Sequence, residues 1–330
     1  MKAIVVREFG EPEVMKVEDV ELAQPTGKQV LVKIEAAGVN PVDTYLRTGI
    51  HAHAPNLPYT PGKDGAGTVA AVGPDVTKWN IGDRVYTANS LTGTYAEYCL
   101  CNEVDLGRLP ENTSFEQGSG IWTPYATAYR ALFQKAGLKA GETVLIHGAS
   151  GGVGLAAVQW AVGVRTLLSA SSDSKTVVIG TASSDAGKQL ILNNGADAVF
   201  DHTDEDHLGE IREFTEGRGV DVIIEMLANV NLERDFEAIA MFGRIVIVGN
   251  RGSLNFTPRL AMTNETTIYG MSLFNSSQDA RDEIHAAIFD GLTNGELSPV
   301  VSQTFSLEDS PAAHKAVIES HTLGKIVLVP

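Results

Sequence analysis

One stretch constrains this chain more than any other: Thr143-Val-Leu-Ile-His-Gly-Ala-Ser-Gly-Gly-Val-Gly-Leu-Ala-Ala-Val-Gln-Trp joins an apolar strand pattern to a helix pattern through a glycine-rich turn. Positions without a side chain let the backbone approach a partner closely, and the start of the helix presents unpaired amides and a partial positive charge. In this strand–turn–helix setting the combination predicts a pyrophosphate cradle and therefore a dinucleotide site. Against the pattern G-x-G-x-x-G, Ala149 takes the first glycine position and Gly151 and Gly154 the others, with Gly152 between.

The flanking sequence supports a parallel sheet around that turn. Apolar strand patterns at Thr143 to His147, Val177 to Thr181, Ala198 to Phe200, Asp221 to Glu225 and Arg244 to Val248 alternate with helices. Strands that are apolar on both faces and separated by helices indicate a doubly wound α/β sheet. Before about residue 120 the texture differs, with short strands at Ile4 to Val6, Gln29 to Ala36, Gly67 to Val72, Arg84 to Thr87 and Thr94 to Leu100 punctuated by glycine and proline. This half reads as a β-rich barrel or sandwich. The last segment carries an amphipathic helix around Asp279 to Leu292 and ends in the strand Lys325 to Val329.

A chain of 330 residues is longer than one core usually serves, so two domains with a cleft between them are expected. With 25 Lys plus Arg against 41 Asp plus Glu, the net charge is −16, which disfavours nucleic acid and anionic lipid as partners and requires any phosphate-binding charge to be local. Cys99 and Cys101 are the only cysteines, and their spacing fits neither a disulfide framework nor a zinc site, so they are read as packing residues in a reducing, cytoplasmic setting. No run of about 18 apolar residues occurs, so no membrane span is expected.

Cofactor choice depends on the end of the second strand of the parallel sheet, where an acidic residue would bind a ribose 2′-hydroxyl and repel a 2′-phosphate. The sequence there is Val177-Val-Ile-Gly-Thr-Ala-Ser-Ser, with Ala182 at the decisive position and Ser183 and Ser184 as hydroxyl donors, which favours NADP, while the nearby Asp185 pulls the other way.

The glycine turn, together with Gly38-Val-Asn-Pro-Val-Asp-Thr-Tyr, Leu57-Pro-Tyr-Thr-Pro-Gly, Gly82-Asp-Arg-Val and Glu225-Met-Leu-Ala-Asn-Val-Asn-Leu, resembles the zeta-crystallin-like quinone reductases over nearly the whole length. The resemblance implies a GroES-like catalytic domain over 1–123, a Rossmann NADPH-binding domain over 124–270, a segment 271–330 that completes the catalytic domain, and a homodimer or homotetramer. Carried over position by position, it implies that Tyr45 and Asn40 line the nicotinamide end and that Ser150, Gly151, Gly152 and Val153 hold the pyrophosphate. It further implies Ser183 and His202 at the adenosine ribose, Asn231 approaching from the fourth-strand loop, and Val248, Gly249, Asn250 and Arg251 after the fifth strand. Met271, Ser272 and Leu273 would close the nicotinamide pocket through their backbones. His51 stands where the family often has a second tyrosine, and Val164 to Lys175 reads as an insertion that also echoes a serine-rich loop, Ser169-Ala-Ser-Ser-Asp against Thr181-Ala-Ser-Ser-Asp.

Zinc alcohol dehydrogenases of this architecture need Cys and His ligands to stabilise a developing alkoxide. Here Asn40 and the pair Lys63-Asp64 stand in those places, so neither catalytic nor structural zinc is expected. The reaction must then use an acceptor that delocalises the incoming charge by itself, a quinone or a similar conjugated carbonyl, held against the nicotinamide so that proximity lowers the barrier. Tyr45 is either a hydrogen-bond donor that orients the acceptor or a ring packed under the nicotinamide, with Asn40 as a second polar group. Neither His51-Ala-His53 nor His147 is assigned an acid or base role; the first pair reads as solvated and His147 as a hydrogen-bonded structural residue. Reduction of 2-alkenal or enone double bonds is the enzymatic alternative, and a crystallin-like structural or AU-rich RNA-binding role the non-enzymatic one.

Overall fold

The two hydrophobic textures fold into two sheets of different kind in a computed structural model that describes residues 1–168, 175–319 and 322–330. The chain divides into one unit of Met1–Thr123 with His285–Pro330 and a second of Pro124–Ile284.

In the first unit, β1 (Lys2–Val6) and β2 (Met15–Asp19) form an antiparallel pair. β3 (Gln29–Val39) is the longest described strand and is followed by Asn40, after which Pro41 opens α1 (Pro41–Thr48). Proline suits the first turn because its missing N–H has no helical partner there, and Gly49 closes the helix at φ 75°. β4 (Gly65–Val72), β5 (Arg84–Thr87), β6 (Tyr98–Asn102), β7 (Leu106–Arg108) and the short α2 (Phe115–Gly118) follow.

The second unit starts with α3 (Thr127–Tyr129) and then alternates: β8 (Thr143–Ile146), α4 (Gly152–Leu168), β9 (Val177–Thr181), α5 (Asp185–Asn193), β10 (Ala198–Phe200), α6 (His207–Phe214), β11 (Val220–Glu225), α7 (Ala228–Asn231), β12 (Ile239–Ile247), α8 (Arg259–Thr263) and β13 (Thr267–Gly270). All its pairings are parallel, in the order β10-β9-β8-β11-β12-β13. Crossovers therefore run in opposite directions from β8, and the switch point lies between β8 and β11. Val144, Leu145, Ile146, Ile223 and Ile224 are fully buried, as expected of central strands covered on both faces.

After α9 (Gln278–Thr293) the chain adds β14 (Val301–Ser306), α10 (Ser310–Glu319) and β15 (Lys325–Val329) to the first unit. Its sheet runs β14-β15-β3-β4-β5-β7, with β6 also on β3, over a core that includes Ile4, Val32, Ile34, Val85, Tyr95 and Leu328.

Three expectations need correction. The return to the first unit falls at residue 285 rather than at 271, within the continuous helix α9. The pattern from Thr94 enters its ladder only at Tyr98, because the amides of Thr94 and Tyr95 go to the carbonyls of Gly62 and Pro61. The fifth parallel strand begins at Ile239, earlier than Arg244; a shift in register and a left-handed Phe242 (φ 62°) break its apolar pattern. The suspected insertion Val164 to Lys175 begins inside α4, and residues 169–174 lie outside the described residues.

Candidate dinucleotide site and buried polar centre

Strand β8 ends one residue before the glycine turn, and the turn is fastened to the neighbouring strand. Gly148, at φ 55°, donates its amide to Thr181 Oγ1 (3.1 Å), and Ala149 donates to Thr181 O (2.9 Å). A Cβ on Gly154 would stand 2.4 Å from Gly148 O, so only glycine permits this close packing of helix on turn. At Gly151 an added Cβ would meet only Gly148 O, at 3.6 Å, so its outward side is open. Ser150, Gly151, Gly152 and Val153 thus form an accessible turn at the N-terminus of α4, a 17-residue helix. The free amides of that terminus suit an anion.

The other residues expected at a cofactor lie on loops that follow the C-terminal ends of strands in the same sheet, where ligands of open parallel sheets bind. Ser183 follows β9; Ala182 is buried, and Ser184 caps α5 by accepting from Gly187 N (3.1 Å). Asp185 is exposed and lies 3.8 Å from Lys188 Nζ, which also binds Asp201 at 2.7 Å. Lys188 is a cation close to this loop that the sequence reading missed; its signal was its position near the start of α5. His202 is exposed after β10. Asn231 ends α7, and its side chain donates to Glu225 Oε1 (3.2 Å).

After β12, Val248 and Gly249 both send amides to Glu225 O, at 2.9 and 3.2 Å. A Cβ on Gly249 would fall 2.1 Å from Met226 O, so this approach also requires glycine. Asn250 and Arg251 are exposed, with the Arg251 amide held by Asn229 Oδ1 (2.8 Å). Met271, Ser272 and Leu273 follow β13, and Met271 N bonds Ile247 O (3.1 Å).

In the first unit Asn40 caps α1 and Tyr45 lies within it, and the two face different surroundings. Asn40 is buried, and its backbone N–H is accepted by Asp43 Oδ2 (2.9 Å). Its amide donates to Asp64 Oδ2 (3.0 Å) and accepts from the ammonium of Lys325. Lys325 also lies 3.3 Å from Asp64 Oδ2, and Asp64 takes further bonds from Thr123 N and Thr123 Oγ1 (2.7 Å). Burial pulls the Lys325 ammonium below its usual range, while Asp64 and Asp43 oppose that. Asn40 and Asp64, two of the positions compared with zinc ligands, are thus tied to a buried cation of the chain itself. The third, Lys63, donates to Ser90 O at 3.0 Å.

Tyr45 is half-buried, whereas Asp43, Thr44 and Arg47 form the buried side of the helix. A hollow of about 660 Å³ in the same unit has Leu46, His53, Tyr59 and Lys63 in its wall, and Tyr45 does not line it. His51 accepts the His53 amide at 3.1 Å, and burial holds its imidazole below the usual range.

Asp64 and Lys325 carry no role in the sequence reading. The signal at Lys325 was a charge opening an otherwise apolar strand, Lys325-Ile-Val-Leu-Val. His147 is hydrogen-bonded, as expected, and its partner is Asp235 (2.9 Å).

A six-stranded parallel sheet with the glycine turn at its switch point, in one chain with a GroES-like β unit, defines a medium-chain dehydrogenase/reductase. Residues 26–134 match the alcohol dehydrogenase GroES-like domain and residues 194–328 the zinc-binding dehydrogenase domain. Quinone oxidoreductases of Homo sapiens and Sus scrofa are 43% and 45% identical over 333 residues, covering 100% of this chain and 98% of each relative. Among solved structures, the Escherichia coli quinone oxidoreductase complexed with NADPH superposes with a TM-score of 0.89 at 28% identity, covering 100% of both chains. The chain belongs to the zeta-crystallin-like quinone oxidoreductase family.

Proposed function

We propose that this chain catalyses the reduction of quinones by NADPH. The observation that carries the reading is the glycine turn at the β8/β11 switch point, in a chain that matches quinone oxidoreductases from end to end. When bound, NADPH supplies the hydride or single electrons.

The chain's own residues bind and orient. Ser150, Gly151, Gly152 and Val153 hold the pyrophosphate with amides, and Ser183 and His202 border the adenosine ribose. Asn231, Val248 to Arg251 and Met271 to Leu273 complete the cofactor contacts. Asn40 and Tyr45 orient the acceptor, and the fixed hydrogen bonds of Asn40 to Asp64 and Lys325 keep its amide from rotating. Holding the partners in a reactive arrangement is what this chemistry asks of the protein.

The test is to titrate the protein with NADPH and NADH by fluorescence, then add 1,2-naphthoquinone and follow the nicotinamide absorbance. Tighter binding of NADPH followed by rapid oxidation is expected. Binding without oxidation of quinone, but with reduction of a 2-alkenal, would replace the substrate assignment.

A homodimer or homotetramer and a cytoplasmic location complete the reading. β13 ends the parallel sheet, and Met241, Phe242 and Met262 of the same unit are exposed at 55%, 66% and 69%. Apolar groups beside an open strand edge favour a second copy. Light scattering that returned the mass of one chain would refute it. Among the described residues no helix is long and apolar enough to cross a membrane.

A further inference from the structure

Beneath the glycine turn lies a cluster of ionisable groups that the proposed chemistry leaves unused. His147, on the residue after β8, Glu225, at the end of β11, and Asp235, in the helical turn Arg234–Glu237, are all buried within the second unit. His147 Nε2 is 2.9 Å from Asp235 Oδ1 and 3.6 Å from Glu225 Oε2. Two oxygens of the cluster, Glu225 Oε2 and Asp235 Oδ2, have no hydrogen-bond partner. Of the neighbouring groups, Arg234 opposes protonation of His147, and the His207 ring on α6 is 6.4 Å from that of His147.

These three residues are also the group, among the described ones, whose side chains converge closely enough to hold a metal ion. Their spacing speaks for a proton instead. Two ligands about 2.05 Å from one tetrahedral zinc stand roughly 3.3 Å apart, whereas 2.9 Å is a hydrogen bond.

With His147 protonated, the two carboxylates leave the buried cluster one negative charge in excess, and a proton on Glu225 Oε2 removes it. Meanwhile Glu225 Oε1 accepts from Leu227 N, on the loop after β11, and from Asn231 Nδ2, at the end of α7. We propose that Glu225, set by His147 and Asp235, is a positioning residue for dinucleotide binding. It fastens the segment bearing Asn231 to the end of β11, the neighbour of the strand that leads into the glycine turn, and a proton on its free oxygen loosens that hold. The inference rests on the reading that Asn231 meets the cofactor. A carboxylate accepts more strongly than a protonated carboxyl group, so ionised Glu225 holds Asn231 best.

The charges agree with this arrangement. Burial, reinforced by Asp235, pushes Glu225 up to about 7 against the pull of His147. Burial opposes charge on His147, but Asp235 and Glu225 outweigh it and raise the group.

The experiment compares the full chain with Glu225→Gln from pH 6 to 8, reading NADPH dissociation by fluorescence and the protonated carboxyl band by infrared difference spectroscopy. Comparing the two proteins at each pH cancels the titration of the cofactor's own phosphate. The wild type is expected to bind about fivefold more tightly than the variant at pH 8 and equally at pH 6, about 1 kcal/mol of hydrogen-bond strength. Its carboxyl band should disappear across the same interval and be missing in the variant. If Glu225→Gln does not fold, Asp235→Asn serves in its place, with the band's midpoint moved to lower pH. A constant affinity ratio, no titrating band, or one tightly held metal ion per chain would overturn the proposal. Failure to bind NADPH at any pH, with the band still titrating, would instead overturn the reading of Asn231.

Discussion

At the scale of single residues, Lys325 concentrates much in one side chain. Its ammonium holds the Asn40 amide and faces Asp64, itself 1% exposed. Taking away one partner of a buried pair strands the other charge, so Lys325→Ala is expected to cost about 3–5 kcal/mol in urea denaturation. The glycines separate by what surrounds them. Gly154→Ala places a Cβ against backbone at 2.4 Å and is expected to weaken NADPH binding at least tenfold by distorting the turn. Gly163→Ala, on the same helix with nothing within 4 Å, is expected to stabilise the protein by up to about 1 kcal/mol and leave binding alone. Thermal melting and fluorescence titration of the two variants check the contrast.

Among elements, α1 and α10 meet through a chain of polar groups. Tyr95 OH lies 3.3 Å from Asp43 Oδ2 and 3.1 Å from His314 Nε2. Burial, helped by Asp64, pushes Asp43 from 3.8 up to about 7, so its contribution to stability is full below 3.8 and is lost as pH rises towards 7. Burial, helped by Arg47, drops His314 from 6.5 to about 3, so its contribution is full above 6.5 and is lost as pH falls towards 3. Between about 4 and 6.5 the two slopes oppose each other. Replacing His314 by Phe is expected to remove the opposing slope, so that stability in urea titrations falls more steeply from pH 4 to pH 7 than in the parent.

The parallel strands were legible because burial on both faces writes an unbroken apolar run, as in Val144, Leu145 and Ile146. β14 was not, because only alternate residues of Val301–Ser306 are partly buried and the run is short. Helix α1 carried its signals in plain view, Asn40-Pro41 at the start and Gly49 at the end, yet eight residues are too few for a period to emerge. At the site, the glycine turn announces itself within a few positions, since one local geometry demands those glycines. The partners of Asn40 do not, because Asp64 and Lys325 reach it from positions 24 and 285 residues away, which no local pattern records.

At the scale of the molecule, the chain leaves its first unit at Thr123 and returns at His285. Removing Lys325–Pro330 takes out β15, the strand between β14 and β3, and is expected to unfold the first unit while a segment near Pro124–Ile284 survives limited proteolysis. The order of strands also sets a schedule for synthesis. A nascent chain can close its parallel sheet once β13 has emerged, but Asp64 must wait for Lys325, 261 residues later, before its counter-ion arrives. Until Lys325 has left the ribosome, the segment around Asp64 holds a carboxylate without its counter-ion where the interior of the first unit will be.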